Sequence, residues 1–121
     1  MSRSPTILSG VTVLPLVDLP GQGGAADVVG AALESGARWI ALRSDRLPKG
    51  FLDLSTGVAG EIAQKCVNYG VGLAVLGDLS AAADRSARLS DWMRESNRGC
   101  HVWFVADEAE LAAKLSAWMA P

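Results

Sequence analysis

Three short runs of apolar residues limit the fold of this 121-residue chain more than any other feature. They occupy residues 39–42, 73–76 and 102–105, and amphipathic stretches separate them. An unbroken apolar run of this length is typical of a strand that is buried on both faces of a sheet. Such strands, joined by helices, predict a mostly parallel sheet flanked by helices.

The N-terminal residues predict an antiparallel hairpin in front of the parallel strands. Strand-like segments at 6–8 and 11–14 flank Ser9-Gly10. Glycine supplies the positive φ that a tight turn needs, although serine is a weaker choice than asparagine before it.

Four segments with the apolar period of a helix follow the hairpin. They begin near residues 25, 55, 81 and 108, and Asp107 with Glu110 forms a capping box for the last one. The third is expected to run as one helix to about residue 96. The predicted fold class is therefore α/β in the order ββαβαβαβα, with a single domain over residues 1–121.

Composition argues against nucleic acid and membrane as partners. The net charge is −2, and the arginines of residues 85–98 alternate with acidic residues, which is typical of a solvated helix face. No apolar run approaches the about 20 residues that span a bilayer. The N-terminus also has no sustained apolar stretch of the kind found in a secretory signal. We therefore expect a cytoplasmic protein that binds neither nucleic acid nor membrane.

Signatures of enzymes, metals and cofactors are scarce. Cys66 and Cys100 lie in apolar stretches and are interpreted as buried free thiols. His101 adjoins Cys100, but neighbouring residues of a strand point to opposite faces. No catalytic triad, carboxylate pair or nucleophile elbow can be placed. The sequence thus predicts no catalytic residue, no metal and no cofactor.

Polar residues follow the predicted strands and open the second helix. Ligands of open parallel sheets bind beyond the carboxyl ends of the strands, where helices also begin. The candidate ligand- or partner-binding residues at this edge, which we call the carboxyl-edge residues, are Arg43, Asp45, Ser55, Thr56, Gly57, Gly60, Glu61 and Asp78.

Two interpretations of the start of the second helix remain open. Gly57 and Gly60 are costly in a helix, by up to about 1 kcal/mol each relative to alanine. They either let bare backbone approach an anion or a partner, with Ser55 or Thr56 as ligand or phosphoacceptor, or they serve close helix–sheet packing beside a serine or threonine N-cap. The second interpretation is the commoner one. Neither a phosphate-binding loop nor a dinucleotide fingerprint is present.

A second polar patch is expected where the second and third helices end. Its residues are Asn68, Tyr69, Glu95, Asn97 and Arg98. One interpretation is helix capping within a structural polar network, in which Glu95 or Asn97 bonds to Tyr69. The other is an interface centred on Tyr69 and Arg98, since these residue types are frequent at binding hot spots. A half-exposed Trp118 in the last helix would suit a homodimer.

Residues 51–69, followed by Gly77-Asp78 and residues 95–99, resemble a family of small bacterial proteins. It is the domain-of-unknown-function family numbered forty-one-eighty, and the resemblance covers nearly the whole chain, with the N-terminal third matching in pattern only. That family has no established activity. The resemblance therefore implies relatives without implying a reaction.

The order of elements is also similar to that of STAS domains, found in sulfate transporters and anti-sigma-factor antagonists. In those antagonists a helix N-terminus carries a phosphorylatable serine, and the same surface binds a kinase-like partner. The resemblance implies that Ser55 or Thr56 takes that place. The chain departs from the antagonist pattern, because it has no Asp-Ser-Ser-Gly sequence and Gly60 interrupts the helix.

Two functions from different classes are expected from these observations. The first is a non-enzymatic, STAS-like regulatory module that binds an unknown protein through the start of the second helix, under control of phosphorylation. The second is a small-molecule or nucleotide-binding protein, or an enzyme, at the same edge. There Arg43 would hold an anion, and Asp45 or Asp78 would act as a base or bind magnesium.

Overall fold

The computed structural model describes residues 6–16, 25–47 and 50–119. Its strands are β1 (Thr6–Leu8), β2 (Val11–Leu16), β3 (Trp39–Arg43), β4 (Gly72–Leu76) and β5 (Val102–Val105). Its helices are α1 (Ala25–Ser35), α2 (Val58–Asn68), α3 (Ser80–Arg85), α4 (Ala87–Arg98) and α5 (Glu108–Met119), and Ser44–Arg46 and Leu54–Thr56 form short 3₁₀ turns. The mixed α/β class is confirmed, and a single domain over residues 1–121 stays a prediction.

The five strands form one sheet in the order β1-β2-β3-β4-β5. β1 is antiparallel to β2, and the later pairs are all parallel. The predicted apolar runs lie side by side, with Ile40 opposite Leu73 and Leu73 opposite Val102. The order of these strands never reverses, so the sheet lacks the switch point whose crevice holds ligands in many open α/β sheets.

Helices cover the two faces of the sheet unequally. On one face, Val29 of α1, Ile62 of α2 and Met93 of α4 pack on the strands. On the other face, the described helix is α5, which packs through Leu111 and Leu115. Right-handed connections between neighbouring parallel strands place successive helices on one face when the strand order runs in one direction. The strand order therefore explains why α1, α2 and α4 share a layer.

The predicted hairpin turn is present, and a side-chain bond accounts for its unusual serine. Ser9 and Gly10 both have positive φ, at +51° and +80°, as the tightest hairpin turns require. The hydroxyl of Ser9 donates to the carbonyl of Ala112 in α5 at 2.7 Å. This bond ties the hairpin to α5 and helps to hold serine in a conformation that it rarely adopts.

The prediction of one helix over about residues 81–96 is wrong, because the chain breaks at Ser86. Ser86 has extended backbone angles, with φ of −143° and ψ of 108°, and separates α3 from α4. Its hydroxyl accepts a hydrogen bond from the backbone N–H of Leu89 at 3.1 Å. Serine competes with the helical backbone in this way, so it is more stable as an N-cap than inside a helix. The element order therefore contains one helix more than predicted.

Candidate functional site

The start of α2 lies at the carboxyl edge of the sheet, because α2 connects the end of β3 to the beginning of β4. The helix begins at Val58 rather than near Ser55, after the short Leu54–Thr56 turn. Gly57 joins the two with a φ of +78°, which is left-handed backbone that glycine adopts without strain. Gly57 therefore has a conformational role, which neither interpretation of the sequence contained.

Ser55 is exposed and bound to Asp53 rather than to the first turn of α2. Its hydroxyl donates to Oδ1 of Asp53 at 2.6 Å, and its backbone N–H donates to the same oxygen at 3.1 Å. Both bonds favour the charged carboxylate and hold the pKa of Asp53 below its usual value of 3.8. Asp53 therefore caps the short turn, and Ser55 does not cap α2.

Thr56 closes the loop that precedes α2. Its hydroxyl lies 2.7 Å from the carbonyl oxygen of Gly50 and 2.8 Å from that of Asp53, and it can donate its one proton to either. The same oxygen accepts a bond from the backbone N–H of Val58 at 3.2 Å. The N-cap residue of α2 is Gly57, so the interpretation of Ser55 or Thr56 as the N-cap is wrong, and Thr56 supports the first N–H of the helix from one position earlier.

Gly60 and Glu61 lie on the exposed side of α2. A Cβ added to Gly60 would meet nothing within 4 Å outside the backbone of its own helix, and the same holds for Gly57. The interpretation that these glycines permit close helix–sheet packing is therefore wrong. Glycine is a weaker helix former than most residues, and no described contact at Gly60 compensates for that cost.

The remaining carboxyl-edge residues also bond to close neighbours. Arg43 and Asp45 form an exposed ion pair at 2.7 Å, and a carboxylate oxygen of Asp78 accepts from the backbone N–H of Ser80 at 2.9 Å. The Ser80 side chain is the main reason why the pKa of Asp78 lies below its usual value, and this backbone bond lowers it further. The exits of β3 and β4 meet, since a Cβ on Gly77 would overlap Ser44. The structure thus brings together the two turns that contain Arg43 and Asp78, while the hydrogen bonds of Ser55 and Thr56 form a separate cluster.

A groove beside Arg43 was not predicted from the sequence. It has a volume of about 280 Å³ and lies on the face of the sheet that α5 covers. Apolar side chains such as Leu8, Val13 and Leu76 line it, and Arg43 and Glu108 are its charged residues. The groove is assembled from the hairpin, two further strands and α5, so no local sequence pattern could have indicated it.

The second polar patch does not form the predicted network. Both amide atoms of Asn97 bind the backbone of Phe104 in β5, with the side-chain nitrogen donating at 3.1 Å and the oxygen accepting at 2.7 Å. The predicted bond from Asn97 to Tyr69 is therefore wrong, because the Asn97 amide is used by β5. Oε1 of Glu95 lies 3.9 Å from Nη1 of Arg98, and Oδ1 of Asn68 accepts a hydrogen bond from Nε2 of Gln64 at 2.9 Å.

Tyr69 and Trp118 differ in how closely each side chain packs against the rest of the protein. The Tyr69 side chain is 54 % exposed, and Lys65 lies over its ring at 5.9 Å. Trp118 packs edge-on against Trp39, and the Arg38 guanidinium lies over the Trp118 ring, 4.7 Å from its centroid. Tyr69 is thus the more available of the two for a partner.

The prediction of two buried thiols is correct for Cys66 and wrong for Cys100. Both are free cysteines, but Cys100 is exposed. Residues 99–101 form a bend before β5, so Cys100 and His101 do not alternate as strand residues do.

Across the described ranges, no group of three or more His, Cys, Asp or Glu side chains could hold a metal ion. Nor does any helix in those ranges have the length and apolar character needed to cross a bilayer.

These features define a class: an α/β protein with one mixed five-stranded sheet, an N-terminal hairpin and exposed polar turns at the carboxyl edge. Within that class, residues 18–115 match the family described as domain of unknown function (DUF4180), and the chain belongs to this family. The resemblance expected from residues 51–69 is thereby confirmed. Neither the curated proteins nor the solved structures contain a match.

Proposed function

We propose that this protein is a non-enzymatic regulatory module that binds another protein through the start of α2. The exposed surface formed by Ser55, Gly57, Gly60 and Glu61 is its recognition surface. The observation that carries the proposal is Gly60, an exposed helical glycine with open space around it. A partner that packs on bare backbone would account for a residue that weakens the helix.

Phosphorylation of Ser55 would act as a switch on this surface. Ser55 and Thr56 are both exposed, but the Ser55 hydroxyl bonds to Asp53 two positions away, whereas the Thr56 hydroxyl holds the loop to Gly50. A phosphate on Ser55 would add a charge of about −1.5 to −2 beside the carboxylate of Asp53. Like charges repel, so the Ser55–Asp53 bond would break and the turn before α2 would open.

A STAS-like fold is part of the same proposal. A hairpin followed by strands and helices that advance in one direction supports it, since the STAS order is similar. The division of the third helix at Ser86 departs from the expected order. A cytoplasmic location, an unidentified protein partner and self-association through Tyr69 or Trp118 also belong to the proposal.

Quantitative affinity capture from the host tests the recognition surface. We expect Gly60→Gln and Ser55→Glu to lose a protein that the native chain retains. Glutamine favours a helix more than glycine does, so Gly60→Gln should fold at least as stably as the native chain. Ala113→Gln adds the same side chain to an exposed position of α5, on the other face of the sheet, and should retain that protein.

The lost protein must then bind the purified native chain, with affinity reduced at least ten-fold by Gly60→Gln. If all four chains retain the same proteins, the recognition surface is not at α2. Phosphopeptide analysis of the protein from its host tests the switch separately, since phosphate on Thr56 alone would contradict the assignment to Ser55.

A small-molecule ligand at the carboxyl edge is the second candidate, and the groove beside Arg43 favours it. The groove is mostly apolar, and Arg43, one of its two charged residues, could fix an anionic group. Thermal-shift measurements with nucleotides, carboxylic acids and Mg²⁺ test this function, because a ligand that binds only the folded chain raises its Tm. A rise that Arg43→Ala abolishes and Glu61→Ala retains would support it, and no rise with any ligand would exclude these classes.

A further inference from the structure

Two shallow cavities of about 270 and 160 Å³ lie at the amino ends of the parallel strands, beside the last turns of α5. Cys100 and Trp118 line both cavities. The cavities are therefore neighbouring parts of one depression, which we call the amino-edge groove. The proposed recognition surface lies at the opposite edge of the sheet, so the amino-edge groove is independent of it.

A thiol and an imidazole stand side by side in the amino-edge groove. Sγ of Cys100 lies 3.8 Å from Nε2 of His101, and both residues are exposed. A neutral imidazole at this distance can accept the thiol proton, and the thiolate is the nucleophilic form of cysteine. Cys66 is buried, and burial raises the pKa of its thiol to about 11. Cys100 is therefore the thiol that a molecule in solution can reach.

The wall of the amino-edge groove contains a buried donor without an acceptor. Trp39 lines the smaller cavity and is fully buried, with its ring stacked on Trp103 at 4.1 Å between centroids. Its Nε1 is the one buried side-chain nitrogen or oxygen of the described residues that has no hydrogen-bond partner. Nε1 of Trp103, in contrast, donates to the carbonyl of Gly99 at 2.9 Å. Because buried donors are rarely unpaired, the Trp39 N–H is an unused hydrogen-bond donor in a residue that lines the groove.

Basic groups border the amino-edge groove. Nζ of Lys114 lies 5.0 Å from the ring centroid of Trp103, and Arg38 lies over Trp118. Arg38, His101 and Lys114 line the cavities, and among the described residues no carboxylate does. This edge is therefore positively charged, although the whole chain has a net charge of −2. Such an arrangement favours an anionic ligand.

We propose that the amino-edge groove is a thiol–disulfide exchange site, at Cys100, for small anionic disulfides. His101 accepts the thiol proton, and the Cys100 thiolate attacks one sulfur of the disulfide. The new bond to Sγ forms as the sulfur–sulfur bond of the small molecule breaks, and its other half leaves as a thiolate that takes up the proton. The bound half lies with its apolar part against Trp118 and its negative charge near Lys114.

Exchange with the dianionic disulfide of thionitrobenzoate tests the site, because each exchange releases a coloured thiolate. We expect one rapid release per native chain, which Cys100→Ser abolishes, and a second release from Cys66 only after unfolding. Cystamine, a dicationic disulfide, is the matched probe. The ratio of the exchange rate with the dianion to that with cystamine should be at least about ten-fold higher for the native chain than for a small free thiol. Added salt should reduce this preference.

Two variants assign the roles of the neighbours. Lys114→Ala should slow exchange with the dianion about five-fold without slowing exchange with the dicationic cystamine, whereas Lys114→Arg should retain the native preference. His101→Asn should slow both reactions at neutral pH by about ten-fold or more. A native chain whose preference equals that of the free thiol would overturn the anion selectivity. Rapid release that persists in Cys100→Ser would overturn the site itself.

Discussion

The two edges of the sheet hold their polar groups in different ways. At the carboxyl edge, Ser55, Thr56 and Asp78 bond to residues at most six positions away, and each bond closes a turn. The amino-edge groove is assembled from α2, β3, β4, α5, and β5 with the bend before it, which are distant in sequence. Local turn chemistry can be predicted from neighbouring residues, whereas a groove made by elements distant in sequence requires the fold.

The edges differ in packing as well. The carboxyl-edge glycines Gly57 and Gly60 have open space where a Cβ would stand, but a Cβ on Gly72 would overlap the buried ring of Trp39. Bare backbone is thus available to a partner at the start of α2, whereas at Gly72 the space is filled by internal packing. The predictions below test this contrast, from the largest expected effect to the smallest.

Gly72→Ala should cause the largest loss, about 3 kcal/mol in the free energy of unfolding, because a rigid buried ring must move to admit the methyl group. Urea unfolding measures the loss. Gly60→Ala is the matched control, and it should stabilise the chain by up to about 1 kcal/mol, since alanine favours the helix and meets no neighbour. Equal destabilisation by both would show that the two edges are packed alike.

Asn97→Ala should reduce the free energy of unfolding by about 2 kcal/mol, because Phe104 loses two hydrogen bonds at the outer strand of the sheet. Asn97→Asp retains the acceptor and loses the donor, so about half of the loss is expected. If both variants unfold as the native chain does, Asn97 does not hold α4 to β5. The second polar patch would then regain its interpretation as an interface.

The regular elements were largely predictable from local patterns, because burial on two faces and turn chemistry leave signatures in short segments. The Asp107–Glu110 capping box is an example: Asp107 accepts from the N–H of Glu110 at 2.9 Å, and Glu110 accepts from the N–H of Ala106 at 2.6 Å. The break at Ser86 was missed because apolar periodicity continues through α3 and α4 while one serine side chain changes the backbone.

The positions of Cys100 and the tryptophans were not predictable from the sequence. Cys100 precedes an apolar run, and a pattern cannot tell whether the strand begins before or after it. The stacking of Trp39 on Trp103 depends on the register of β3, β4 and β5, which only the assembled sheet fixes. The start of α2 was predicted as a polar surface, but the separate roles of Ser55 and Thr56 depend on where the loop from Gly50 returns.

Thr56→Val should cost about 1 kcal/mol of stability, a smaller effect than at the amino edge, because it removes hydrogen bonds that water can partly replace. Thr56→Ser retains the hydroxyl and should lose less than half as much. Thermal unfolding measures both. A loss of 3 kcal/mol or more in Thr56→Val would contradict the view that the carboxyl-edge turns are lightly packed.

Ser55→Ala should give the smallest effect, and its size depends on pH. The pKa of Asp53 is lowered in the folded chain, mainly by the Ser55 hydroxyl, so its charged form stabilises the fold above the usual value of 3.8. That contribution is lost as the pH falls through the folded pKa. Removing the hydroxyl raises the pKa of Asp53 towards 3.8, so the variant should be less stable near neutrality and equal to the native chain in strong acid.

An NMR titration of the carboxyl carbons checks this expectation residue by residue. Ser80→Ala is the matched control, because Ser80 lowers the pKa of Asp78 as Ser55 lowers that of Asp53. Each variant should move only its own carboxylate, since the two turns share no hydrogen bond in the structure. If Ser55→Ala shifts Asp78 as strongly as Asp53, the carboxyl edge is one coupled cluster, and the contrast between local turns and an assembled groove would not hold.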